Sequence, residues 1–198
     1  MGISLSKNQS ISLEKTAGSA LSKVSMGLGW DPVAKKGGFF GKLLGGGGGS
    51  IDLDASCLML DASKNPIDVV WFVQLQSRDG AIRHSGDNRT GEGDGDDETI
   101  SVDLAALPVS VKYLVFTVNS FTGQTFDQVE NARCRLVNLA NGSELARFNL
   151  SEKGPHTGVL MAYMVREGSD WTLTALGQVA SGSTVEHLVA DAQRAIKS

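Results

Sequence analysis

Cys134-Arg135-Leu136-Val137-Asn138-Leu139-Ala140-Asn141-Gly142-Ser143-Glu144-Leu145-Ala146-Arg147-Phe148 sets an Asn-Gly pair between two strand-like runs. Asn and Gly accept the positive φ of a tight reversal, so this pairing predicts a β-hairpin and, with it, antiparallel pairing. A second reversal follows, with Val159 to Arg166 and Trp171 to Ala175 flanking Glu167-Gly168-Ser169-Asp170. Toward the N-terminus the same period of two returns. Ile3-Ser4-Leu5-Ser6 and Ser10-Ile11-Ser12-Leu13 alternate around the turn-prone Lys7-Asn8-Gln9, and Val24-Ser25-Met26-Gly27-Leu28-Gly29-Trp30 repeats the alternation. Ile51 to Leu60 resumes strand character, and Val69 to Leu75 and Val111 to Val118 read as short buried strands rich in β-branched and aromatic residues. About nine or ten strands broken by turns predict a mainly all-β protein, an antiparallel β-sandwich.

The period changes only at the C-terminus. Val185, Leu188, Val189, Ala192 and Ile196 fall on one helical face, Ser183 or Thr184 offers a cap, and Glu186 stands in the first turn. These positions predict an amphipathic helix over 183–197. One domain is expected over 1–198, interrupted by a Gly-rich flexible loop at 35–50 that ends in five consecutive glycines, Gly45 to Gly49.

Composition bounds the function. The chain has 198 residues, 41% of them hydrophobic, which is enough to bury a substantial core. A net charge of −4 and a pI near 5.3 exclude general nucleic-acid binding, which needs a basic surface. No apolar run reaches the length of a transmembrane helix, and the first twenty residues lack the apolar core of a secretory signal. Met1-Gly2-Ile3-Ser4-Leu5-Ser6 matches the N-myristoylation pattern, but Ile3 and Leu5 suit a first strand and lipidation is not expected. Cys57 and Cys134 stand inside apolar strand-like runs and read as buried small hydrophobes in a reducing, cytoplasmic compartment. Trp30, Trp71 and Trp171 also read as core.

The chemistry is concentrated in Asp87-Asn88-Arg89-Thr90-Gly91-Glu92-Gly93-Asp94-Gly95-Asp96-Asp97-Glu98. Six carboxylates against one guanidinium give this window −5, so the rest of the chain carries +1. Like charges at such density resist compaction unless a cation neutralises them. Gly91, Gly93 and Gly95 let the backbone aim carbonyls at one point, and Asn88 and Thr90 add neutral oxygens. Asp52 and Asp54, two apart in a strand, share a face, and Asp31 ends the strand that contains Trp30, so three segments are expected to converge at one end of the sandwich.

So many oxygens favour calcium over magnesium, and the carboxylate count allows one or two ions. Zinc is disfavoured because His84, His156 and His187 are scattered and no cysteine cluster accompanies them. The pattern is not an EF-hand: counted from Asp94, position 6 is Thr99 where Gly is required and position 12 is Ala105 where Glu is required. The competing reading is a solvated acidic loop with no metal. Arg89 is expected to brace the loop against a carboxylate.

Gly27-Leu28-Gly29-Trp30-Asp31, Asp52-Leu53-Asp54-Ala55-Ser56 and the run from His84 to Glu98 resemble the signature blocks of the TerD family of tellurium-resistance proteins. Phe116-Thr117-Val118-Asn119-Ser120-Phe121, followed by Gly123-Gln124-Thr125-Phe126, is most similar to the TerZ branch of that family. The five-glycine run departs from the shorter connection in TerD itself and leaves the geometry before Asp52 open. The resemblance implies a calcium-binding β-sandwich and a role in bacterial resistance to tellurite, chemical stress and phage. It also implies Asp31, Asp52, Asp54, Asp87, Asn88, Glu92, Asp96, Asp97 and Glu98 as candidate ligands.

The function that follows is a non-enzymatic calcium-binding module of a stress-resistance system. Its partners would be other proteins of that system, at a cytoplasmic location or at the inner membrane surface. Phe39, Phe40, Leu43 and Leu44, fringed by Lys35, Lys36 and Lys42, form an apolar tip suited to such docking. The alternative is a metal-dependent hydrolase acting on phosphoesters, with His84 as acid or base, although no nucleophile elbow or phosphate-cradling helix supports it. Direct reduction of tellurite by Cys57 or Cys134 is disfavoured by their apolar settings and the absence of CxxC spacing.

Overall fold

The computed structural model describes residues 2–32, 52–86 and 95–197. The Gly-rich segment 35–50, with the Phe39 to Leu44 tip, lies outside the described residues, as do Asp87, Asn88, Arg89 and Glu92. The strands are β1 (Ile3–Ser4), β2 (Ser10–Ser12), β3 (Lys23–Pro32), β4 (Leu53–Leu60), β5 (Pro66–Val70), β6 (Ile82–His84), β7 (Glu98–Asp103), β8 (Tyr113–Ser120), β9 (Val129–Asn138), β10 (Ser143–Asn149), β11 (Gly158–Glu167) and β12 (Asp170–Ala180). Two short α-helices accompany them, α1 (Leu13–Ala17) and α2 (Val189–Ala195).

The strands form two sheets. The first runs β1-β10-β9-β3-β7-β6 and the second β2-β12-β11-β8-β4-β5. Among the described pairings β1 runs parallel to β10 and all the others are antiparallel. Both predicted hairpins form. β9 and β10 meet at Asn138↔Ser143, with Gly142 at φ 71° donating its N–H to Asn138 O at 2.8 Å. β11 and β12 close through Glu167↔Asp170, with Gly168 at φ 67° in the turn. Positive φ at these two glycines is what a side chain would oppose.

Burial follows the period of two where one face of a strand meets water. β7 alternates buried and half-buried positions throughout, and β9 does so from Ala132 to Asn138. β4 and β8 are instead buried at every position, because their two faces meet different layers. Leu53, Ala55, Cys57 and Met59 of β4 enter the core between the sheets, whereas Leu58 and Leu60 pack in a second cluster with Val185, Leu188, Ala192 and Ile196 of the C-terminal segment. The helical segment thus covers the outer face of the second sheet. A strand buried on both faces loses its alternation and reads as a continuous apolar run.

Four expectations require correction. The C-terminal segment is a 3-10 turn over Val185–Leu188 followed by α2, and Thr184 makes no side-chain cap. The predicted single helix over 183–197 is therefore shorter and tighter at its start. Ser10–Leu13 does not continue as a strand, because Ser12 Oγ caps α1 by accepting Lys15 N–H at 3.1 Å and Gly18 ends that helix at φ 72°. The strand expected over Val69 to Leu75 stops at Val70. Trp71 and Gln74 exchange backbone bonds of 3.1 and 3.0 Å across a turn, leaving Val73 65% and Leu75 46% exposed. Trp71 is consequently half-buried at that turn, while Trp30 and Trp171 are core at 1% and 4% exposed.

Candidate metal centre

Gly27-Leu28-Gly29-Trp30 on β3 organises one side of the site. Leu28 and Trp30 point into the core, so Gly27 and Gly29 lie on the outer face of the first sheet and leave a bare trough. Two side chains occupy it. A Cβ on Gly27 would stand 2.0 Å from Asp96 Oδ2, and one on Gly29 would stand 2.8 Å from Arg133 Nη2. Arg135, the cross-strand partner of Gly27, donates from Nε to both oxygens of Asp96 at 2.8 and 2.9 Å. Arg133, the partner of Gly29, donates from Nη2 to Gly95 O. The end of the acidic segment is therefore pinned to β3 and β9 by two guanidinium groups.

Asp97 extends the pinning. Its N–H donates to Leu28 O at 2.9 Å, and its Oδ2 accepts Trp30 N–H at 2.7 Å. Burial raises the Asp97 carboxyl above its ordinary range; Trp30 N–H and Arg133 oppose that rise, and Asp31 and Glu98 add to it by like-charge repulsion. Asp31 on β3 accepts Asn131 Nδ2 at 2.8 Å. Asp97 thus lies close enough to Asp31 and to Glu98 to feel the charge of each.

Glu98 begins β7 and is fully buried. Its Oε2 accepts Ala55 N–H at 2.7 Å, which ties the first sheet to β4 of the second. His84 Nε2 lies 3.1 Å from Ala55 O and 3.2 Å from Glu98 Oε2, and His84 Nδ1 accepts Gly86 N–H at 3.0 Å. An acceptor Nδ1 assigns the proton to Nε2 in a neutral ring. Both ring nitrogens are occupied within a buried strut, so His84 is not presented to a substrate.

Asp54 is 3% exposed and shares the β4 face of Leu58 and Leu60, with Asn119 of β8 directly across. Asp52 precedes β4 and is half-buried. The described candidates stand on different faces near one another in the fold: Asp96 on the outer face of the first sheet, Glu98 between the sheets against Ala55, and Asp54, the neighbour of Ala55, on the outer face of the second. Among the described residues no group of three or more His, Cys, Asp and Glu side chains is placed to hold a metal ion. Arg133, Arg135 and the His84–Glu98 strut are site features that sequence reasoning missed. The outward alternation of the two arginines on β9 was their only signal.

The thiols take no part. Cys57 and Cys134 are free and buried, and burial pushes Cys134 up to about 12, with Asp96 adding to the rise. Burial raises Cys57 further still.

Residues 1–191 match the TerD domain. The tellurium resistance protein TerZ of Serratia marcescens is 52% identical over 194 residues, covering 98% of both chains. The stress response protein SCP2 of Bacillus subtilis (strain 168) is 42% identical over 196 residues, covering 96% of this chain and 98% of its own. A crystallised homologue of telluride resistance protein (TerD) from Streptomyces coelicolor A3(2) superposes with a TM-score of 0.68 at 23% identity, over 87% of this chain and 98% of that one, which shows a shared fold. This chain belongs to the TerD family of tellurium-resistance and stress-response proteins and lies near its TerZ branch.

Proposed function

We propose that this protein is a non-enzymatic calcium-binding module of a tellurite and chemical-stress resistance system, working through contacts that the metal orders. The observation that carries the reading is the placement of charge. A twelve-residue window of −5 ends in Asp97 and Glu98, and Asp97 feels the charge of Asp31 on β3. The donors are oxygens, and both thiols are buried in apolar surroundings, so the residues suit a hard cation.

Asp31, Asp97 and Glu98 would hold such an ion together with Asp87, Asn88 and Glu92 of the acidic segment, and Asp52 and Asp54 would serve on the β4 side. Asp96, engaged with Arg135, takes the anchor's role in this reading. Bound calcium would supply charge neutralisation. The rest is done by the protein: Gly27 and Gly29 admit the segment's end, and Arg135 and Arg133 hold it. Partners are other proteins of the resistance system, in the cytoplasm or at the inner membrane surface. Among the described residues no helix is long and apolar enough to cross a membrane. The hydrolytic alternative gains no support, since its acid–base candidate His84 is committed to the buried strut.

The test is calorimetric titration with calcium and magnesium alongside thermal melting in millimolar calcium or chelator. A ligand at a hundredfold excess over Kd stabilises by about 2.7 kcal/mol, so a clear calcium-dependent rise in Tm is expected. No heat of binding and an unchanged Tm would remove the proposal.

A further inference from the structure

At one end of the outer face of the second sheet, β4 and β8 present a square of buried polar side chains. Asp54 faces Asn119 and Ser56 faces Thr117, residue against residue. Ser56 and Thr117 are 0% exposed and Asn119 is 1% exposed. Among the described residues Ser56 Oγ, Thr117 Oγ1 and Asn119 Oδ1 have no hydrogen-bond partner. Buried oxygens in that condition carry a desolvation cost, and their concentration at one place points to a ligand that uses them. The rest of the face, from Leu58 and Val115 onward, is apolar and packs under the C-terminal segment.

Asn119 also reaches the cover. Its Nδ2 donates to Ser183 O at 2.9 Å, and next to it Thr157 Oγ1 accepts Gly182 N–H at 3.1 Å. These bonds hold the entry to the Val185–Leu188 turn and α2. One amide therefore has its oxygen in the polar square and its nitrogen on the covering segment. In an antiparallel pair the opposed Asp54 and Asn119 have Cβ atoms about 5 Å apart, so an ion held by Asp54 lies within reach of Asn119 Oδ1.

We propose that Asn119 couples calcium occupancy at Asp54 to the closure of the C-terminal segment over the second sheet, with Ser56 and Thr117 supplying further neutral oxygens. The inference rests on the calcium reading above and gives it a regulatory output. Coordination of Asn119 Oδ1 polarises the amide and strengthens the Nδ2–H bond to Ser183 O, because hydrogen bonds in a connected chain reinforce one another. With the ion bound, residues 181–196 are clamped. Without it they loosen and uncover the apolar face bearing Leu58, Leu60, Val115 and Leu160.

The experiment is hydrogen exchange of the full chain in millimolar calcium and in chelator, with calorimetry on the same samples. The wild type is expected to gain tenfold or more protection across 181–196 with calcium, and Asn119→Ala less than twofold. Thr117→Val, which conserves shape, should keep the fold and weaken calcium binding severalfold. Calcium binding by calorimetry with unchanged exchange at 181–196, or full calcium-dependent protection in Asn119→Ala, overturns the coupling and leaves the calcium reading standing. Absence of any calcium binding overturns both.

Discussion

Gly27 and Asp96 are fitted to one another: a Cβ at position 27 would stand 2.0 Å from Asp96 Oδ2, so the glycine is the space in which the carboxylate lies. The backbone at Gly27 is regular β-strand, where alanine normally stabilises relative to glycine. The contact reverses that preference. The Gly27-Leu28-Gly29-Trp30 motif is thereby explained as two inward core residues and two outward absences.

Gly27→Ala should therefore destabilise the protein by about 1–2 kcal/mol, the worth of the displaced Asp96–Arg135 hydrogen bonds after allowing for the partial exposure of Arg135. Urea unfolding of a double-mutant cycle checks the cause. In an Asp96→Ala background the same Gly27→Ala change should be neutral or stabilising.

Glu98→Ala removes the acceptor of Ala55 N–H and the carboxylate beside His84 Nε2, in a site with no exposure. A loss of about 2–4 kcal/mol is expected from the donors left buried and unmatched. Glu98→Gln, which retains an acceptor, should lose about half as much. Both are measured as shifts in urea midpoint in the presence of chelator, so that metal binding does not enter.

Alkaline stability should decline through the thiols. Burial raises the folded pKa of Cys57 and Cys134 above the ordinary 9.0, Cys134 to about 12. The folded state then retains protons that the unfolded chain releases. The contribution is complete below pH 9 and is lost as pH rises through the window between the unfolded and folded values, at about 1.4 kcal/mol per unit for each thiol. Native protein at pH 8 should resist a thiol-specific disulfide reagent, both cysteines reacting only on unfolding. Cys134→Ser should flatten the decline by one thiol's share.

Acid stability should have a contribution from Asp68. Burial alone would raise its carboxyl, but Arg78 N–H at 2.8 Å, Gln74 Nε2 at 3.0 Å and Val69 N–H at 3.0 Å, with the Arg78 charge, bring it below the ordinary 3.8. Its stabilisation is present above that value and is lost as pH falls through the folded one. Asp68→Asn should cost about 1–3 kcal/mol at pH 7 and give a shallower loss between pH 5 and 2, read from chemical unfolding across that range.

The hairpins, the alternating strands and the family blocks were legible because each depends on neighbours in sequence. Asn141-Gly142 needs only its own turn, and Leu28 and Trp30 need only the two-residue pleat. Trp71 misled because a local bond pattern with Gln74 and the Asp68 side chain turns the chain where apolar residues alone suggest a continuing strand. Leu13 misled because Ser12 is a cap as well as an alternating residue, and its Oγ also donates to Asp170 Oδ2 at 2.6 Å, a partner 158 positions away.

By itself the sequence determined the β-sandwich, the terminal helical turn and the density of carboxylates around Asp97, since hydrophobic period, turn chemistry and charge are properties of the chain in order. Tertiary structure alone decided which carboxylates were already engaged. Asp96 met Arg135, Glu98 met Ala55 and His84, and Asn119 met Ser183, partners between 14 and 64 positions away in the chain. Such partners are chosen by sheet register and by which face of a strand points outward, and neither is fixed until the two sheets have packed.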